Sequence, residues 1–295
     1  MKLLHSCLFV ACAFGFAFLP SAAQKKGIDP ALLKMANAGN PQAQLTLGEA
    51  YASGIAVPQD YTQAVSWLQK AADQGLAEAQ DQVGVLYESG HGVGQNDAKA
   101  ATLYRRAADQ NLVSAELHLG SLYAEGNGVP QDSAQAASWY RKAALQGDAT
   151  ALYNLGTFYE RGIGVQQDYA QAADLYRRAA DKGDASAQFN LGILYDNGTG
   201  VGKNYAAAAA CYEKAAEQGL PRAQFNLGSM YANGQGVIVN LPESYFWLAL
   251  AAKTWSGSHQ QEATQARDLV GQHMNPSDLA AAQQRADKWL TEHRK

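Results

Sequence analysis

The stretch LGSLYAEGNGVPQD, Leu119 to Asp132, sets a Gly-x-Gly loop between two helix-like segments. A loop of this kind running into a helix can cradle a phosphate on its backbone N–H groups, or it can be plain turn chemistry. The chain offers little other reactive chemistry. Its six histidines, His5, His91, His118, His259, His273 and His293, include no pair four apart on a helix face, and neither HExxH nor CxxC occurs. No metal-ligating pattern is present. GxSxG and SxxK, the marks of serine hydrolases and penicillin-recognising enzymes, are absent as well. With 23 Lys and Arg against 27 Asp and Glu, a net charge of −4 and no basic run, nothing suggests a nucleic-acid footprint.

The elements around the loop decide its role. Leu/Val-Gly recurs at Leu47-Gly48, Val83-Gly84, Leu119-Gly120, Leu155-Gly156, Leu191-Gly192 and Leu227-Gly228, always 36 residues apart. A tyrosine (Tyr51 to Tyr231), a glycine (Gly54 to Gly234) and a valine (Val57 to Val237) keep the same pitch. A phosphate loop is needed once, whereas six copies at constant pitch are architecture. Each unit reads as two helices. In the first copy one helix covers about 42–52, with Ala43, Leu47, Ala50 and Tyr51 on one stripe. Its internal Gly48 costs about 1 kcal/mol against alanine, so its recurrence predicts a neighbouring helix too close for a Cβ. Asp60, Asn96, Asp132, Asp168, Asn204 and Asn240 are expected to N-cap the second helices. Those carry Ala64, Trp67, Leu68, Ala71 and Ala72 and their equivalents, and end at Gly75, Gly147, Gly183 and Gly219, with Asn111 substituting once.

These residues, A-x3-LGxLYxxGxGVxxD followed by A-x2-WYxKAAxQG, resemble the Sel1-like repeat family, relatives of the tetratricopeptide repeats with a slightly longer unit. The resemblance implies an all-α, right-handed α-solenoid. The expected organisation is a signal peptide over 1–23, a capping helix over 24–40, six repeats over 41–255 and a helical cap over 256–295. The opening MKLLHSCLFVACAFGFAFLPSAAQKK has one lysine, an apolar stretch from Leu3 to Leu19 and small residues at Ser21 and Ala23, the pattern of a secretory signal cut after Ala23. Its apolar run is short for a bilayer span. Cys7 and Cys12 leave with that segment, so Cys211 remains alone and no internal disulfide is expected. Cys211 itself reads as a small core residue.

The outward stripe of the first helices, positions 42, 46, 49 and 53 and their copies, varies where the packing stripe does not. Its exception is a ladder of Asn154, Asn190 and Asn226, preceded in the same register by His118. In the resembling families the first helices line a concave face, and asparagines there hydrogen-bond the backbone of a bound peptide. An amide offers donor and acceptor together, so it pairs with a peptide unit whatever its side chain. Tyr153, Phe189 and Phe225 would supply apolar pockets, or else pack within the array. Arg222 and Arg161 could clamp a carboxylate. Helices spaced roughly 8–10 Å apart make a groove on the order of 50 Å long, enough for about 15 extended residues.

The expected function is therefore a non-catalytic scaffold of the cell envelope, exported to the periplasm or beyond. It is a monomer without cofactor or metal, and holds a protein or peptide partner on its concave face in a regulatory, assembly or host-interaction role. Two alternatives stay open. The resemblance extends to cysteine-rich relatives described as β-lactam hydrolases. The column of Tyr104, Tyr140, Tyr176 and Tyr212 could stack on sugar rings, which would make the chain a polysaccharide-binding organiser, or could pack inside the stack.

Overall fold

The computed structural model describes residues 27–293, so the leader segment lies outside the described residues. Fifteen α-helices and no strand make up the described part. A short helix α1 (Pro30–Asn37) precedes six hairpins: α2 (Pro41–Ser53) with α3 (Tyr61–Asp73), α4 (Ala77–Ser89) with α5 (Asp97–Ala108), α6 (Val113–Glu125) with α7 (Ser133–Leu145), α8 (Ala149–Arg161) with α9 (Tyr169–Asp181), α10 (Ala185–Asn197) with α11 (Tyr205–Glu217), and α12 (Pro221–Asn233) with α13 (Leu241–Thr254). Each helix packs on the one before it and the one after it, the arrangement of an α-solenoid. Two further helices, α14 (Ser258–Gly271) and α15 (Pro276–Glu292), both pack against α13 and cover the last apolar face.

Local chemistry fixes the hairpins. All six expected Asx residues cap second helices, each accepting from a first-turn N–H through its side chain. In the same loops the cap's own N–H donates back to the carbonyl of the repeated tyrosine, from Asp60 to Tyr51 at 2.9 Å through Asn240 to Tyr231 at 3.0 Å. That bond closes the loop without any bound anion. Asn111 takes the left-handed conformation (φ 64°) that glycine takes in the other units. No described helix is long and apolar enough to cross a membrane.

The in-helix glycine has a different neighbour from the one its sequence position suggests. A Cβ on Gly84, Gly120, Gly156 or Gly192 would meet the ring of Tyr104, Tyr140, Tyr176 or Tyr212 at 2.5–2.8 Å, rather than a helix backbone. Leu68 and Leu248 fill the same notch at Gly48 and Gly228. The aromatic column is thus a set of knobs seated in glycine notches of the same hairpin, and all four tyrosines are at most 5% exposed. The stack between units rests on a second glycine. A Cβ on Gly164 (φ 64°) would lie 2.2 Å from the carbonyl carbon and oxygen of Ser133, where the preceding unit's second helix begins, and Gly92, Gly128, Gly200 and Gly236 repeat this contact.

A polar ladder runs through the stack on the other side. Gln44, Gln80, Gln188 and Gln224 are buried, and each amide donates to the carbonyl eight residues earlier on the preceding second helix, for example Gln80 Nε2 to Ala72 O at 3.2 Å. Gln74, Gln110 and Gln218 then donate to Gln44, Gln80 and Gln188 at 2.7–2.9 Å. The fourth unit breaks both ends together, with Leu152 and Lys182 at those registers. The third carries Glu116, which accepts from Gln146 at 2.9 Å but has no proton for Ala108 O when ionised.

Burial pushes the Glu116 carboxyl up, the Gln146 bond and Lys142 opposing only in part. A group with a raised folded pKa contributes stability below its unfolded pKa and loses that contribution as the pH rises through the folded pKa. Glu116→Gln should therefore stabilise the chain at neutral pH by about 1 kcal/mol, the usual worth of one restored hydrogen bond. The gain should shrink as the pH falls to where the carboxyl is protonated in both states. Urea midpoints at neutral and acid pH check this, and an equal gain at both would refute it.

Candidate groove on the first helices

The outward stripe of the first helices forms a row of mostly half-buried side chains, and successive helices are tied across it. Gln82 Nε2 donates to Glu49 at 2.7 Å, which joins α4 to α2. Asp81, buried, accepts from Ser114 Oγ at 2.8 Å and pairs with His118 Nδ1 at 2.9 Å, which joins α6 to α4. The His118 ring lies 4.6 Å from that of Tyr104. His118 therefore acts as an interhelical tie.

The tyrosine knobs point their hydroxyls through the notch to the same side. Tyr104 donates to Glu88 at 2.6 Å and Tyr176 to Glu160 at 2.5 Å, with Thr157 Oγ1 3.1 Å from the Tyr176 hydroxyl. Tyr212 reaches Asp196 at 3.5 Å. Burial raises the hydroxyl pKa of Tyr140, Tyr176 and Tyr212 far above the ordinary tyrosine value, so these groups stay protonated and donate. None presents a face to a sugar ring, which removes the tyrosine column as a glycan platform.

The asparagine ladder lies at the edge of these networks. Asn190 is in polar contact with the Tyr176 hydroxyl and Asn226 with that of Tyr212, and each offsets part of the effect of burial. Both are half-buried, while Asn154 is 8% exposed. The aromatics pack inward. Phe189, 7% exposed, lies 5.6 Å from the Tyr212 ring; Tyr153 lies 5.8 Å from Tyr176; Phe225 meets Trp255 at 5.9 Å, and Trp255 in turn stacks on His259 of α14 at 4.6 Å. Arg222 sits half-buried between units five and six with its guanidinium 4.5 Å from the centre of the Phe189 ring, and Arg161 is exposed.

Sequence reasoning missed the acids at 88, 160 and 196, although a signal existed. That register reads Ala52, Glu88, Ala124, Glu160, Asp196 and Ala232, and the knob sixteen residues on reads Leu68, Tyr104, Tyr140, Tyr176, Tyr212 and Leu248. An acid never stands opposite a leucine. The chain's own repeats thus covary at two positions that touch. Tyr140, which lacks an acid at Ala124, faces Ser121 and Glu125 instead.

Elsewhere, a cleft between α11, α13 and α15 is lined by Glu213, Glu243, Phe246, Trp247, Arg285 and Trp289. That arginine bonds Glu243 twice, at 2.5 and 3.1 Å, and stacks on Phe246 at 3.8 Å, so the cleft anchors the cap. Cys211 is partly buried against the core of the fourth and fifth units, and burial pushes its thiol up, away from the reactive thiolate. Among the described residues no group of three metal-ligating side chains converges.

The sequence pattern described as Sel1 repeat matches residues 41–76, 77–112, 113–148, 149–184, 185–220 and 221–253. Among solved structures, a Sel1 repeat protein from Oxalobacter formigenes is 39% identical, with TM-score 0.71, over 79% of this chain and 68% of that one. A putative Sel1 repeat protein from Klebsiella pneumoniae subsp. pneumoniae is 20% identical over 68% and 98% of the two chains, with TM-score 0.45. The immunity protein Pa5087 from Pseudomonas aeruginosa is 22% identical over 86% and 88%, with TM-score 0.41. No curated protein matches the chain.

Proposed function

The chain belongs to the Sel1 repeat family, and from that premise we propose that it is a non-catalytic scaffold that holds an extended segment of a partner protein along its first helices. Sel1 repeat proteins are generally protein-interaction scaffolds. The observation that carries the reading is the stripe itself. Its residues differ from unit to unit and are mostly half-buried, while the packing positions beside them repeat six times. Variation along a continuous row of first helices suits recognition of an uneven partner, since stacking alone would tolerate the same residue in every unit.

Asn190 and Asn226 are the amides this reading puts against the partner's backbone, and Asn154 supports the same row from a more buried place. The leader-like opening supports an envelope location, periplasmic or secreted, and a regulatory, assembly or host-contact role. A hydrolase reading has less support. The partly buried Cys211 has a raised pKa, which keeps its thiol from the reactive thiolate form.

The test is a photo-crosslinking residue at Ile193, on the stripe, against one at Arg141, on a second helix. The expected result is partner adducts from position 193 and none from 141; adducts from 141 alone would move the site off the first helices. Combining Asn190→Ala with Asn226→Ala should cut the yield at 193 about tenfold or more, since each amide contributes on the order of 1 kcal/mol. The melting midpoint should shift little, because Tyr176 and Tyr212 keep Glu160 and Asp196.

A further inference from the structure

Arg222 differs from most other arginines of the array. Arg141 and Arg177 donate to Tyr159 and Tyr195 at 3.1 and 3.2 Å, Arg105 donates to Tyr123, Arg267 bonds Asp268, and Arg285 is doubly bonded to Glu243. Among the described residues, half-buried Arg222 has no hydrogen-bond or ion-pair partner, and its Nε is sealed from solvent without an acceptor. A sealed Nε–H with no acceptor is costly in the free protein. What holds the guanidinium is the ring of Phe189, 4.5 Å away, which restrains the side chain without using its hydrogen-bonding edge.

The surroundings leave that charge uncompensated. In the same register the other units carry Gln42, Glu78, Ser114, Thr150 and Ser186, so at this register unit six alone carries a cation. The hydroxyl-bonded acids of the groove, Glu88, Glu160 and Asp196, face tyrosines. The helix start beneath Arg222 is also open. Helix α12 follows Leu220 with no side-chain cap, as α4 follows Leu76 and α6 follows Leu112, while α8 and α10 are capped by Asp148 and Asp184.

We propose that Arg222, stacked on Phe189 at the sixth-unit end of the groove, is a carboxylate-binding subsite that anchors an acidic group of the bound segment. The inference rests on the scaffold reading and adds to it the chemistry and polarity of the ligand. The sealed Nε and the ring fix the guanidinium plane, and the Nη pair is left as a fork matched to the two oxygens of a carboxylate. Because the side chain is already restrained, binding costs little further rotamer entropy. The carboxylate comes either from an Asp or Glu side chain or from the partner's C-terminus.

The test uses two peptide libraries of about a dozen residues each, N-acetylated, one ending in a free carboxylate and one amidated, on the full chain. The wild type should enrich members with a carboxylate at one fixed register. Enrichment in the free-acid library alone identifies a C-terminal group, and selection of Asp or Glu in the amidated one identifies a side chain. Arg222→Gln should weaken the selected peptides by roughly tenfold to a hundredfold, the range for hydrogen bonds to a charged group. Arg222→Lys should restore only part of that, and the exposed Arg106→Gln should leave binding unchanged. Peptides that bind without carboxylate preference, or equally to Arg222→Gln, overturn the subsite and leave the groove standing. A wild type that selects nothing from either library counts against the groove as well.

Discussion

Gly164→Ala should lower the melting midpoint by about 10 °C, more than alanine at most other glycines of the chain. Two independent costs add there. Its φ of 64° is one that an L-residue adopts at about 1–2 kcal/mol. The added methyl would also lie 2.2 Å from the Ser133 carbonyl group, which is backbone at the start of a capped helix and cannot swing aside. Overpacking of that kind costs about 1–3 kcal/mol or more, and in a chain of this size each kcal/mol is worth about 2–4 °C. The contact joins units three and four, so the same change should also loosen cooperativity between the two halves of the stack. Comparison sites separate the two costs. Gly183 has φ 93° with nothing within 4 Å of a Cβ and should lose about 1 kcal/mol on conversion to alanine, while Gly202 has neither constraint and should lose nothing. Circular-dichroism melts of the three variants suffice, and equal midpoints for Gly164→Ala and Gly183→Ala would show that the inter-unit contact carries no weight. Unit one runs part of this experiment already. Its residue at that register is Ala56, an alanine already held at φ 68°.

What could be read from the chain alone was whatever the 36-residue pitch made local. Asx caps, terminal glycines and the alanine positions each depend on a few neighbouring residues, so six aligned copies expose them directly. The contents of the notch were not local in that sense. Gly156 and Tyr176 lie twenty residues apart on different helices, and the pattern shows only that a glycine recurs, not what it admits. The buried glutamines were hidden for another reason. Gln80 has the composition of a surface residue, and it is buried because Ala72 of α3 supplies an acceptor and Gln110, in the turn after α5, supplies a donor. At the groove the register was legible and the depth was not. Asn190 and Asn226 stand where the ladder put them, but the tyrosine hydroxyls beneath them became visible only once the knobs were placed. Arg222 could be named as a cation on the stripe; that it lacks a partner is a fact of packing.

The knob and its notch can be tested as a pair. Tyr176→Ala empties a fully buried site and should cost about 3–5 kcal/mol, the usual price of deleting a large aromatic side chain. Tyr176→Phe keeps the ring and removes only the hydroxyl's contacts to Glu160, Thr157 and Asn190, at about 1–2 kcal/mol. Gly156→Ala alone sets a gain of about 1 kcal/mol in helix propensity against a methyl 2.8 Å from the ring. The ring cannot retreat without breaking its hydroxyl bonds, so the net change should be a loss of about 1–3 kcal/mol. In Tyr176→Ala the collision is gone, and the same Gly156→Ala change should become stabilising by about 1 kcal/mol. The coupling between the two sites then comes to about 2–4 kcal/mol, far beyond the few tenths typical of independent positions. Urea titrations of the four proteins measure it. A coupling near zero would mean that the glycine recurs for a reason unrelated to the ring, and the account of why these hairpins close as they do would fail with it.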